Sequence, residues 1–255
     1  GRLECSEWCY RTFEHCWKPQ WSQEDAGTTA PLFGVWASGP NDVYAVGDGG
    51  TIVRFDGSTW SSMTSGTNEP LNAVWGSDAS HVFAVGRAGT ILHGDGTGWQ
   101  QQISPVSVEL RDVWGSGPED VFAVGEEGKI LRYQGAGWSE MSSGIDYALL
   151  TLWGTSSNDI HAVGVPGSIL HWDGTSWSEG DGYGSYAGAM WASSPTNAFI
   201  VASWGEYWQY DGFSWTGGAT GSAANLHGLH GANSSSVFAV GSNGAVLHWT
   251  GALWR

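Results

Sequence analysis

Tryptophan returns along this chain at an almost constant interval, and that interval limits the fold more than any other feature. Trp21, Trp60, Trp99, Trp138, Trp177, Trp215 and Trp254 follow one another at spacings of 39, 39, 39, 39, 38 and 39 residues. A second series, Trp36, Trp75, Trp114, Trp153 and Trp191, keeps the same interval within one residue, and His230 takes the next place. A fixed period of this length means a structural unit stacked on copies of itself.

Each unit reads as four short strands. In the stretch from Leu71, LNAVWGS, HVFAVG, ILHG and WQQQIS are apolar, β-branched or aromatic runs of about five residues, bounded by Gly, Asp, Ser or Pro. Asp-Gly at 56–57, 95–96, 173–174 and 211–212 is a hairpin signal, because glycine accepts a positive φ without steric cost. Four antiparallel strands in roughly 40 residues, repeated around a circle, describe propeller blades. A solenoid needs atypical capping repeats, and these units stay uniform to the end.

The expectation is therefore an all-β, six-bladed β-propeller of four-stranded antiparallel blades over residues 21–255, with residues 1–20 as a cysteine-containing N-terminal extension. The last unit, from Leu226, stops just after Trp254, and the stretch from Trp21, WSQEDAG, supplies an outer strand. The N-terminal outer strand is thus expected to complete the C-terminal blade and close the ring. Trp21 and Trp254 are equivalent positions, so the two ends overlap, and a seventh, partial blade is the alternative.

Units such as VWGSGPEDVFAVGEEGKILRYQGAGW resemble the bacterial secreted propeller repeats grouped with kelch and Asp-box repeats, over about 225 of the 255 residues. The resemblance implies the fold and not an activity. The Asp-Gly-x-x-Trp turn is one residue shorter than the Asp-box of sialidases, and no arginine triad with a Tyr/Glu pair matches here. Similarity to six-bladed fucose lectins rests on WQYDGFSWTGG in a single blade.

Composition narrows the partners. With 9 Lys+Arg against 25 Asp+Glu the net charge is −16, which disfavours nucleic acid and anionic membrane surfaces. No apolar run approaches the roughly 18 residues that cross a bilayer, so membrane insertion is not expected. All three cysteines, Cys5, Cys9 and Cys16, fall within the N-terminal extension. An odd number outside the cell suggests one disulfide with a third thiol left free or bonded to another chain. A metal site built from these cysteines and His15 matches no finger spacing.

No sequence motif for catalysis is present: no Gly-x-Ser-x-Gly, no His-Glu-x-x-His, no phosphate loop and no Cys-x-x-Cys. No cofactor is expected, calcium on the acidic turns being unsupported by a specific motif. Function should be written where turn tips differ while the scaffold repeats. The turn between second and third strands carries Asp48-Gly49, Arg87-Ala88, Glu126-Glu127, Val165-Pro166, Ser203-Trp204 and Ser242-Asn243. A tryptophan among small or polar counterparts marks Trp204 as a ligand contact, with Glu206 beside it and Tyr183 and Tyr186 in the preceding loop. Tyr207 and Trp208 align with Ile91 and Leu92 and are expected in the core.

Three smaller patterns have structural readings. The Trp36 series is expected to wedge between neighbouring sheets. Arg54, His93, Arg132, His171, Gln209 and His248 share one position of the third strand and should make polar contacts; Asp42, Asp120 and Asp159 should accept backbone N–H bonds in a turn. His227 and His230 point to opposite faces of a strand, which makes a shared metal awkward.

Three functional expectations follow: a secreted or cell-surface recognition module binding carbohydrate or protein through its variable turns; a polysaccharide lyase or glycoside hydrolase at the axial funnel; or a structural subunit of a surface assembly, joined through the N-terminal segment.

Overall fold

The structure is a computed structural model and describes residues 23–180, 182 and 186–255. Six antiparallel sheets follow one another in chain order, at 32–63, 71–101, 110–141, 149–179, 187–219 and 226–249. They are the six blades of a β-propeller, numbered here 1 to 6, and the expected fold class holds. Within a blade the strands run inner, second, third and outer, each paired with the next. Blade 3 shows the pattern: Leu110–Gly117, Asp120–Gly125, Ile130–Tyr133 and Trp138–Met141. In blade 6 the first three strands are followed by Trp254, bridged to Trp249; His248 and Arg255 exchange both backbone hydrogen bonds at 2.9 and 3.0 Å. Cys5, Cys9, Cys16, the extension 1–20 and Trp21 lie outside the described residues; the rest of the expected closing strand, residues 23–31, forms no strand, and the outer place of blade 6 is taken by the chain's own Trp254 and Arg255.

The core lies between blades. Phe83, Val85 and Ile91 of blade 2 pack against Leu110, Val113 and Val121 of blade 3, with Trp138 closing the outer end. A second strand covered on both faces needs an unbroken apolar run, which is why Val-Phe-Ala-Val replaces simple alternation there.

Inner-strand tryptophans set the spacing. The ring of Trp75 lies over Gly115 of the next blade, where a Cβ would stand 2.6 Å from it, and Trp114 lies over Gly154 in the same way. Trp36 over Gly76 and Trp191 over Gly231 repeat the contact at 2.7 Å. Blade 5 has Ala192 at this position; Trp153 packs in the cluster with Met190 and Ala192 and also meets His230 of blade 6 edge-on, at 6.5 Å between ring centres.

The Asp-Gly hairpins form as their sequence requires. The Oδ1 of Asp95 accepts the N–H groups of Thr97 and Gly98 at 2.8 and 2.9 Å, and Gly96 sits at φ +85°. The hydrogen bond from the Thr97 hydroxyl, with these two backbone bonds, holds the exposed carboxyl down at about 2.

Asp42 and Asp120 have other partners than the backbone N–H groups expected. Asp42 accepts from the Ser38 hydroxyl and from Arg54 Nε at 2.5 and 2.7 Å, and Asp120 accepts from Ser116 and Arg132 at 2.6 and 2.8 Å. The reason is that the third strand brings a long cationic side chain back over the start of the second, which a reading along the chain alone does not show.

Candidate functional site

Strand direction decides which turns share a face. The turns between second and third strands and the connectors from one blade to the next lie on one side of the ring, and the Asp-Gly hairpins lie on the other. Backbone hydrogen bonds tie the turn and connector together in every blade. Asp48, Arg87, Glu126, Val165, Ser203 and Ser242 donate their N–H to the carbonyls of Pro31, Pro70, Glu109, Ala148, Tyr186 and Asn225, at 2.8–3.3 Å.

The next residue of the turn is left-handed in most blades: Gly49, Ala88, Glu127, Trp204 and Asn243 have φ between +55° and +62°. Glycine and asparagine suit that backbone; a tryptophan costs about 1 kcal/mol there relative to glycine. Trp204 is nevertheless held in place, its N–H donated to Asn225 Oδ1 at 3.1 Å, and its side chain is 75% exposed. The adjoining Tyr186 is 61% exposed. Two rings therefore flank one backbone hydrogen bond on the connector face.

The remaining expected residues divide. Glu206 opens the third strand, half-buried and opposite Ala219. Tyr183 lies outside the described residues. Tyr207 packs on Trp249 and Trp254, and Trp208 joins the cluster around Val163 and Ile200, so both serve packing as expected.

Two exposed apolar side chains escaped the sequence reading. Ile103 stands out from a connector on the Trp204 face, and Phe213 from an Asp-Gly hairpin on the opposite face. The signal that could have found them was misalignment of type: Phe213 takes the place of Ser58, and Ile103 the place of Thr64.

Charge on the connector face is concentrated in blade 3. Arg111 Nη2 lies 2.5 Å from Glu126 and 3.6 Å from Glu109, and Asn72 Nδ2 donates to Glu109 at 3.0 Å. Beside this cluster runs an open groove of about 500 Å³, lined by Glu127, Lys129, Glu140, Ile145 and Asp146, with Lys129 and Glu140 paired at 2.7 Å. Deeper, Asp112 bridges two blades: it accepts from Val113 N–H at 2.9 Å, Thr151 hydroxyl at 2.8 Å and Leu152 N–H at 3.0 Å. Burial between the blades pushes its carboxyl up to about 6.

Blade 4 brings together Asp159, His161 and His171, whose ligand atoms lie within 4.8 Å of one another. Asp159 accepts from His171 Nε2 at 2.9 Å and from the Thr155 hydroxyl. Burial alone would raise its carboxyl, but hydrogen bonds from His161, His171 and Thr155 outweigh that and hold it well below the usual carboxylate range. The rings of His161 and His171 stack at 4.5 Å and 24°, and both Nε2 atoms face Asp159 Oδ1, at 3.6 and 2.9 Å. Asp42–Arg54 and Asp120–Arg132 occupy the same place in blades 1 and 3, which makes this an ion-pair position of the repeat. His230 packs on Trp191 at 6.3 Å.

No protein-family model matches the chain, and no curated protein matches it. Solved structures do. One described as YCF48 bound to D1 peptide superposes with a TM-score of 0.73 at 19% identity, covering 89% of this chain and 81% of that one. YCF48 from Cyanidioschyzon merolae gives 0.71 at 18%, covering 89% and 85%. A structure of U3-55K gives 0.74 at 12%, covering 88% and 78%. The shared property is the propeller fold. No helix among the described residues is long and apolar enough to cross a membrane.

Proposed function

We propose that this chain is a non-catalytic recognition module, secreted or displayed at a cell surface, that holds a protein partner on its connector face with Trp204 and Tyr186 as the anchor. The observation that carries the reading is the exposed Trp204 ring, fixed at a left-handed turn position where small or polar residues serve the other blades. A rigid aromatic side chain gives large contact area for little lost freedom, and such residues dominate binding energy at interfaces. The propeller likeness includes a YCF48 structure bound to a peptide, which is support by analogy for a peptide-like ligand. A net charge of −16, with Glu109, Glu126, Glu127 and Asp146 on this face, favours a partner segment that pairs an apolar anchor with Lys or Arg.

Carbohydrate is the second reading, because two exposed rings beside Glu206 also suit the C–H faces and hydroxyls of a sugar. The funnel enzyme draws less support: Glu109, Arg111 and Glu126 at the mouth are already paired with one another. The decisive experiment screens the protein against arrays of basic-apolar peptides and of glycans, then repeats the hits with Trp204→Ala and Tyr186→Ala. At least a tenfold loss on peptide hits supports the proposal. Loss confined to glycan hits moves the reading to carbohydrate, and undiminished binding by both variants overturns the site.

A further inference from the structure

The molecule contains its own control for what a covered blade looks like, and two flanks fail it. Residues of the inner strand at Val74, Val113, Leu152 and Met190 face the preceding blade and are buried; Val35, in the same place on blade 1, is 70% exposed. Residues at Val85, Val124 and Val201 of the second strand face the following blade and are fully buried, yet Val240 of blade 6 is 42% exposed. Val246, which corresponds to the buried Ile91 and Ile130, is 46% exposed, and Phe238 is open as well, as is Leu32, which corresponds to the buried Leu71 and Leu110. Inner strands pack on one another from blade 1 through blade 6, with no comparable packing of blade 6 on blade 1 among the described residues. These two apolar flanks look into one gap.

Backbone geometry says what kind of chain belongs there. At Gly50, Gly89, Gly128 and Gly205 the carbonyl of a connector residue, Thr67, Val106, Ile145 or Ser222, comes within 1.8–2.3 Å of where a Cβ would stand; at Gly244 of blade 6 nothing lies within 4 Å. The outer-strand position of blade 6 already holds Trp254. Ahead of blade 1, by contrast, the chain keeps the connector form: Ala30 N–H donates to Thr28 Oγ1 at 3.1 Å as Glu69 N–H does to Thr67 Oγ1 at 3.0 Å. Gly27 and Gly66 share positive φ, +69° and +79°. Trp60 Nε1 donates to Glu24 at 3.0 Å, so the entering chain lies against blade 1. Blade 1 is thus entered as though from a preceding repeat that is not blade 6.

We infer that the gap between blades 6 and 1 is a docking site for residues 1–22 of this same chain. Trp21 stands one repeat before Trp60, and the segment supplies Trp8, Tyr10, Phe13 and Trp17 to cover the two flanks. The pairing is chemically matched: apolar rings against Leu32, Val35, Val240 and Val246.

Site-resolved labelling of one introduced thiol in the full-length chain, read by peptide mapping beside the native Cys5, Cys9 and Cys16, tests this. V35C and V240C should react with a maleimide at least tenfold more slowly than S178C, a thiol on the exposed outer strand of blade 4. On mild oxidation, peptide mapping should find the introduced thiol of V35C or V240C bonded within the same chain to Cys5, Cys9 or Cys16, and that of S178C unbonded. The two flank variants back each other, so one that fails to fold leaves the other as the test. Labelling as fast as S178C overturns the proposal. So does protection that disappears on dilution, or linkage only between chains, which would assign the gap to a second copy.

Discussion

Trp204 shows how a single residue can be read against its repeat. The backbone there is left-handed because the turn demands it, whatever side chain is attached, so Asn243 marks a substitution that the fold already accepts. Trp204→Asn should leave the melting temperature within about 2 °C of the parent, or raise it, since relief of αL strain is worth no more than about 1 kcal/mol. Ligand binding should fall at least tenfold in the same variant, by titration of any ligand found for the parent. Asp112 carries a different prediction. Its carboxyl titrates near 6 in the folded protein against 3.8 for an ordinary aspartate, so between those values the folded state holds a proton that the unfolded state has released. Stability from this group is greatest at acid pH and declines as pH rises from 3.8 to about 6, by roughly 1.4 kcal/mol for each step of one in pH. Asp112→Asn should flatten that part of the melting-temperature profile, measured from pH 4 to pH 7.

At the level of strands and turns, most of the design was legible, because each element is defined by spacing that the sequence displays directly. The Asp-Gly hairpins, the apolar second strands and the Trp-on-Gly steps follow from residue type and period. What stayed hidden depends on a return of the chain: Arg54 reaching Asp42, Asp112 reaching Thr151 of the next blade, His161 meeting His171. Of the exposed apolar side chains, Trp204 and Tyr186 stood out by type, whereas Ile103 and Phe213 were masked by ordinary turn context. The Trp-on-Gly step gives a sharp test. Gly115→Ala places a methyl 2.6 Å from the Trp75 ring and should destabilise by about 1–3 kcal/mol in denaturant unfolding. Trp75→Phe in the same chain should recover part of that loss, a non-additive pair as expected for residues in contact.

For the whole molecule, the two faces of the ring should behave independently. Inserting a short Gly-Ser segment at Asp173-Gly174, on the hairpin face, should leave ligand binding unchanged; the same insertion beside Trp204 should abolish it, while circular dichroism stays that of the parent in both. With a net charge of −16, association with a basic partner should slow as salt rises, with the change in the on-rate. The stacking of Trp75 on Gly115 and Trp114 on Gly154 also has a direction: blades 1, 2, 3 and 5 carry the plug for their successors, blades 2, 3, 4 and 6 the socket for their predecessors, and blades 2 and 3 carry both. Blade 2 or blade 3 cut out alone would therefore be sticky at both ends in complementary fashion. Such pieces should join head to tail into strings, growing with concentration, where the intact chain keeps the same contacts to itself.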